Sequence, residues 1–144
     1  MTDVGGAVLL DTCAVIWLFN GDPLPAPVLA VVMGAALAAG VFVSPVSAWE
    51  VGMLSKPRGS RAGLQFLPDP KTWFARLMAA PGIREAALTP AIAVDASYLP
   101  SDLHGDPADR LLVATARHLG VPLVTRDAKL IAYAGQGFAR VLAC

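Results

Sequence analysis

At 144 residues and 14.9 kDa the chain is long enough to bury a core without disulfides or a structural metal, so residues 1–144 are expected to form a single domain. A net charge of zero and a pI of about 6.7 exclude a globally basic nucleic-acid binder and leave any such contact to local patches. Mean hydropathy is +0.59, but the charge-free stretch 23–49 is broken by Gly34, Gly40 and Pro45, and its apolar part 28–43 is too short to span a bilayer.

In chain order, Val8-Leu9-Leu10 is a short strand that stops at Asp11, and apolar residues at helical spacing (Val15, Ile16, Leu18, Phe19) predict a helix over 12–20. A second apolar helix is predicted over 26–39, ended by Gly40, and Val41-Phe42-Val43 reads as a buried strand. Ser44-Pro45 breaks the strand, and Ser47 with Glu50 three residues on predicts a capped helix running to about Ser55. The Gly-, Pro- and Arg-rich stretch 56–70 should be an exposed loop, followed by a helix over 71–80, a strand over 86–88 and a helix over 90–98. A strong helix over 107–119 precedes Gly120, then come a strand over 121–124, a short helix over 128–133 and a last strand over 138–142. Strands alternating with helices imply a three-layer α/β/α sandwich around a mostly parallel sheet.

Cys13 lies in an apolar run and Cys144 at the last position, which fits no disulfide framework or metal-ligand spacing; Cys13 is expected to be a small core residue. Asp3 and Asp11 sit where a secretory leader needs apolar residues, so the expected location is the cytoplasm.

The chain has eleven acidic residues, only two of them glutamates. Asp11 ends the first strand, Glu50 opens the helix after the second, Asp109 falls in the first turn of the helix at Pro107, and Asp127 follows the strand 121–124. The carboxyl ends of parallel strands share one edge, so the four should meet in one crevice. Each taken alone reads better as a helix cap than as a site residue. Taken together they do not, because two carboxylates about 4 Å apart repel by roughly 4 kcal/mol at an effective dielectric near 20, while a cap returns only about 1 kcal/mol. Either shared protons or a divalent cation must compensate, and an all-oxygen donor set favours Mg²⁺ or Mn²⁺ over zinc. Such a site serves phosphoryl or phosphodiester chemistry with water as nucleophile. His118 reads as a surface residue, and His104, ahead of Asp106, as a solvated loop residue or a substrate contact.

Four stretches resemble the successive motifs of the PIN-domain family, in particular its VapC-type toxins. They are Val8-Leu9-Leu10-Asp11-Thr12-Cys13-Ala14, Ser47-Ala48-Trp49-Glu50, Asp106-Pro107-Ala108-Asp109-Arg110-Leu111-Leu112-Val113-Ala114-Thr115-Ala116, and Leu123-Val124-Thr125-Arg126-Asp127. The resemblance implies endoribonuclease activity, with Asp11, Glu50, Asp109 and Asp127 around one or two Mg²⁺ or Mn²⁺ ions. In it Asp11 and Asp109 are direct ligands, Glu50 a ligand or water-orienting base, and Asp127 a second-site or water-mediated ligand. Thr12, Ser47 and Thr125 are expected to orient carboxylates or waters. The resemblance further implies a homodimer neutralised by an antitoxin protein. Asp106, three residues before Asp109, is either the N-cap of its helix or an alternative ligand.

An RNA substrate requires cationic contacts, and Lys56, Arg58, Arg61, Arg110 and Arg126 are the candidates; no acidic residue lies between Val51 and Pro68. Trp17, Trp49 and Trp73 fall in apolar helical patterns and read as core or interface. The helix over 26–39, with Trp17, Leu18 and Phe19, offers more apolar surface than this chain easily buries, which suggests a dimer face or an antitoxin groove. Two other readings stay open. One is a receiver- or phosphatase-like phosphoryl-transfer domain, although Cys13 stands where the phosphatase motif needs a second aspartate and a receiver's early acidic pair is missing. The other is a catalytically inactive PIN-like module that binds RNA or protein.

Overall fold

The computed structural model describes residues 6–103 and 105–144. Their order is β1 (Val8–Leu10), α1 (Thr12–Asn20), α2 (Ala26–Ala36), β2 (Val41–Val43), α3 (Pro45–Leu54) and α4 (Pro70–Met78), then β3 (Ile83–Glu85), α5 (Pro90–Ser97), α6 (Pro107–Leu119), β4 (Leu123–Thr125), α7 (Ala128–Gly135) and β5 (Val141–Ala143). The strands form one sheet in the order β3-β2-β1-β4-β5, and every pairing is parallel. β1 lies at the centre, with Leu10 opposite Val43 on one side and Val124 on the other.

Period-two alternation assigns the two faces. Leu9 of β1 and Leu123 of β4 pack with Ile92 and Ala96 of α5, Leu112 and Ala116 of α6, and Leu130 and Tyr133 of α7. Val8, Leu10, Val41, Val43 and Val124 face the other way, onto Ala14 and Val15 of α1, Val28 and Val32 of α2, and Leu77 of α4. Helices therefore cover both faces, and the expected three-layer α/β/α architecture holds. The apolar run 41–43 is hydrophobic throughout because both faces of the strand are buried. No helix of the described residues is long and apolar enough to cross a membrane.

Several boundaries depart from expectation for local reasons. α3 starts one turn early: Pro45 at its first position has its φ preset for a helix, and the Ser44 hydroxyl, not that of Ser47, accepts from the Val46 amide at 3.0 Å. Ser47 is instead buried inside the helix. β3 occupies 83–85 rather than 86–88, since Ile83 is the residue that pairs with Val41 and Ala86 only closes the ladder by donating to the Val43 carbonyl. β4 begins at Leu123 because the Val121 amide is still tied to the Ala116 carbonyl at the end of α6. β5 begins at Val141, since Phe138 turns back onto the Tyr133 ring.

Candidate active site

Strand order reverses on either side of β1, which opens a crevice at the carboxyl ends of β1 and β4, and the acids singled out by sequence lie on elements that end or begin there. Asp11 leaves β1 in extended conformation, caps α1 and is only 6% exposed. One of its oxygens accepts from the Cys13 amide at 2.7 Å; the other accepts from the Thr125 hydroxyl in a short hydrogen bond. Thr125, the last residue of β4, is fully buried, and its hydroxyl oxygen also accepts from the Asp127 amide at 3.1 Å. Asp127 in turn caps α7, accepting from the amides of Lys129 and Leu130 at 2.8 and 3.2 Å.

On the other side of the crevice Thr12 donates to Glu50 Oε1 in a very short contact and lies 3.0 Å from the Ser47 hydroxyl. A hydroxyl has one proton. With Thr12's given to Glu50, Ser47 must donate to Thr12, so the relay runs from Ser47 through Thr12 to the carboxylate. Glu50 sits inside α3 and caps nothing.

Asp106 caps α6, its Oδ1 accepting from the Asp109 amide at 3.1 Å. Asp109 is half-buried and carries the largest perturbation of the acids: burial first, then Asp106, Asp127, Asp11 and Glu50, push its carboxyl up to about 7. It is the acid that feels all the others. Asp11 also lies above its ordinary value, chiefly through burial and, against the pull of its hydrogen bonds, with repulsion from Asp127 adding to it. Glu50 is raised by burial, partly offset by Thr12, with Asp11 and Asp106 adding to the rise. The N-termini of α1, α6 and α7 point into the same region and offset some of this charge.

Cys13, expected in the core, is exposed at the mouth of the crevice. Burial and the negative charge of Asp11, Glu50 and Asp109 push its thiol up to about 11, against the opposing effect of Arg126, so it stays protonated and is no nucleophile. Arg126 stacks on Trp17, its guanidinium 3.4 Å from the ring centroid. Arg110 is committed elsewhere: its guanidinium donates to the carbonyls of Ala96, Leu103 and Ser97 and ties α6 to the end of α5. His118 is exposed, as expected, and His104 lies outside the described residues. Trp17 and Trp73 are partly buried, but Trp49 is 61% exposed, which removes the core half of its core-or-interface reading. The Trp17–Arg126 stack had no signal in the sequence, because it joins the middle of α1 to the loop after β4.

Among the described residues no group of three or more His, Cys, Asp or Glu side chains is arranged to hold a metal ion. The donor set still suits a hard dication bound by one or two carboxylates, with water and phosphate filling its remaining positions, which is how Mg²⁺ is commonly held. Acids that raise one another's pKa are the arrangement that such a charge would relieve. A hollow of about 560 Å³ lies at the opposite, amino edge of the sheet, lined by residues such as Val8, Gly120 and Val141, and has none of this chemistry.

Among known proteins, Ribonuclease VapC22 of Mycobacterium tuberculosis (strain ATCC 25618 / H37Rv) is 36% identical over 88 residues, a stretch that covers 61% of this chain and 63% of that protein, just under two thirds of its length. The crystal structure of VapBC2 from Rickettsia felis bound to a DNA fragment from their promoter superposes with a TM-score of 0.64 at 13% identity, over 95% of this chain and 98% of that one. DNA-bound VapBC from Salmonella typhimurium gives 0.64 at 14%, over 96% and 98%. FitAcB from Neisseria gonorrhoeae gives 0.53 at 19%, over 94% and 96%. At these identities the structural likenesses speak to the fold alone. The sequence pattern of the PIN domain, however, matches residues 8–136, nearly the whole chain, and the protein belongs to the PIN domain family.

Proposed function

We propose that this protein is a Mg²⁺- or Mn²⁺-dependent endoribonuclease, the toxin of a toxin–antitoxin pair, hydrolysing RNA phosphodiester bonds with water as nucleophile. The observation that carries the reading is the meeting of Asp11, Glu50, Asp109 and Asp127 at the carboxyl edge of the parallel sheet, near enough that the other three add to the rise that burial first gives Asp109. Family membership and kinship to a named ribonuclease support it, and they leave no room for the receiver- or phosphatase-like alternative.

Asp11 and Asp109 would hold the ion, with Glu50 and Asp127 completing the acidic ring. Bound there, the dication supplies positive charge that makes a water nucleophilic at neutral pH and neutralises the phosphate oxygens. Thr125 and the Cys13 amide fix the plane of Asp11, and Thr12, itself held by Ser47, fixes that of Glu50 as an acceptor for the attacking water's proton. Asp109 is half-buried and feels the charge of Asp11, Glu50 and Asp127, whereas Asp106 is exposed, which favours Asp109 over Asp106 as the ligand. Arg126, presented by Trp17 beside the acids, is placed to take a phosphate oxygen, while Lys56, Arg58 and Arg61 supply charge farther along the RNA. For the antitoxin, or for a second copy of the chain, α2 and its C-cap offer Leu29, Met33 and Leu37, exposed at a spacing of four, with Met33 at 53% and Leu37 at 88%.

Incubation with total RNA and Mg²⁺, followed by mapping of new 5′ ends, tests the activity. Discrete cuts that vanish on chelation and in Asp109→Asn are expected. Cleavage by Asp109→Asn at the parent's rate would overturn the assignment.

A further inference from the structure

The segment after α3 is more than a solvated run of charge. Arg58 and Arg61 pair with each other through both backbone amides, at 2.9 and 3.0 Å, around Gly59 in the left-handed region. The Leu64 amide donates to the Leu54 carbonyl at 2.8 Å, and Gly63 lies so close to the Ser55 carbonyl that an added Cβ would stand 2.1 Å from its oxygen. Phe66, buried against Ile16 and Val51, anchors the far end. The result is a fixed hairpin carrying exposed Lys56, Arg58 and Arg61 around a hollow of about 440 Å³ whose floor is Met53, Leu54, Ala62 and Leu64.

The hollow and Glu50 share α3, since Met53 and Leu54 of its floor lie three and four residues after Glu50. Met53 lies one turn after Trp49, on the same side of the helix, and Trp49 is the immediate neighbour of Glu50. An exposed tryptophan beside a site acid, an apolar floor and a cationic rim with no acid between Val51 and Pro68 thus follow one another. The rim's charge matches a polyanion, and an exposed ring beside it suits an unpaired base, which stacks on any aromatic face without regard to sequence.

We infer that Trp49, Met53 and the Lys56–Arg58–Arg61 hairpin form a track for single-stranded RNA leading away from the carboxylate crevice. A base stacks on Trp49 and the following phosphates lie along the hairpin. The inference rests on the ribonuclease reading and deepens it: the RNA flanking the cut must be unpaired on the side that follows α3.

The test uses a fluorescein-labelled single-stranded oligoribonucleotide and a hairpin-free duplex of equal length, titrated with the full chain in EDTA so that binding is read without cleavage. Cleavage with Mg²⁺ is assayed in parallel. Single-strand binding tighter than duplex binding, weakened about tenfold in Trp49→Ala and largely restored in Trp49→Phe, supports the track. Replacing Lys56, Arg58 and Arg61 with Gln should lower the slope of log affinity against log salt by about 2. Because these side chains are exposed, melting temperatures should stay at the parent value. Equal single-strand affinity in Trp49→Ala and parent overturns the track while the nuclease reading survives on the cleavage assay. A Trp49→Ala that alters only the sedimenting mass, with RNA affinity intact, also overturns it and makes the face a protein interface. A parent that neither binds nor cuts RNA removes the nuclease reading and the track together.

Discussion

Asp11 accepts from a backbone amide on one oxygen and from Thr125 on the other, so its carboxylate is oriented before any ligand arrives. Thr125→Val keeps the buried volume and removes that tether; Mn²⁺ affinity, measured by calorimetry, is expected to fall about 10- to 100-fold. Asp109 gives the site a pH signature. Its carboxyl is at about 7 in the folded chain against an ordinary 3.8, so between those values the folded state keeps a proton that the unfolded chain has released. The stability this contributes is complete below 3.8 and is lost as pH rises through about 7. Asp11 and Glu50, also raised, act with the same sign. The metal-free protein should therefore melt at a lower temperature above neutrality than in mild acid, and Asp109→Asn should flatten that fall; an unchanged pH profile in the variant would refute the assignment of the shift. The placement of Asp11, Asp109 and Asp127 was legible in the sequence, because each follows a strand or lies in the first turn of a helix at the same sheet edge, whereas Glu50 lies inside α3 and not at its start. Their hydrogen-bond partners were not, since Thr125 to Asp11 and Thr12 to Glu50 are contacts made only by the tertiary fold.

At the scale of elements, local chemistry decided what could be read. Asp11, Asp106 and Asp127 cap their helices as short acidic side chains before helical runs should, and α1 and α6 occupy their expected spans because strong caps precede them and Gly21 and Gly120 end them in the left-handed region. Ser47 misled because the capping-box spacing to Glu50 competed with Pro45, whose preset φ starts the helix first. β3 was displaced because Ile83 is followed by exposed Arg84 and Glu85, which give no apolar run, and only pairing with β2 places the strand there. The cap on α6 is separable from its charge. Asp106→Ala should cost about 1 kcal/mol of stability and let Asp109 ionise at lower pH, read by denaturant unfolding and a carboxyl NMR titration, whereas Asp106→Asn should keep the cap and still ease ionisation. Gly63→Ala should dislodge the basic hairpin from Ser55, seen as faster proteolysis within 56–66 with the sheet intact.

For the whole molecule, the parallel sheet does two jobs: it buries a core on both faces and gathers acids from four distant stretches at one edge. That gathering is unfavourable by itself, because burial first and then the neighbouring charges disfavour the ionised carboxylates, and it is tolerable if a dication completes the site. Calorimetric titration of Mn²⁺ near neutral pH, repeated in buffers of different ionisation heat, tests this most directly. The account predicts binding by the parent accompanied by proton release, as Asp109 gives up its proton, and loss of both in Asp109→Asn. Equal Mn²⁺ affinity in parent and variant, or binding without any released proton, would contradict it.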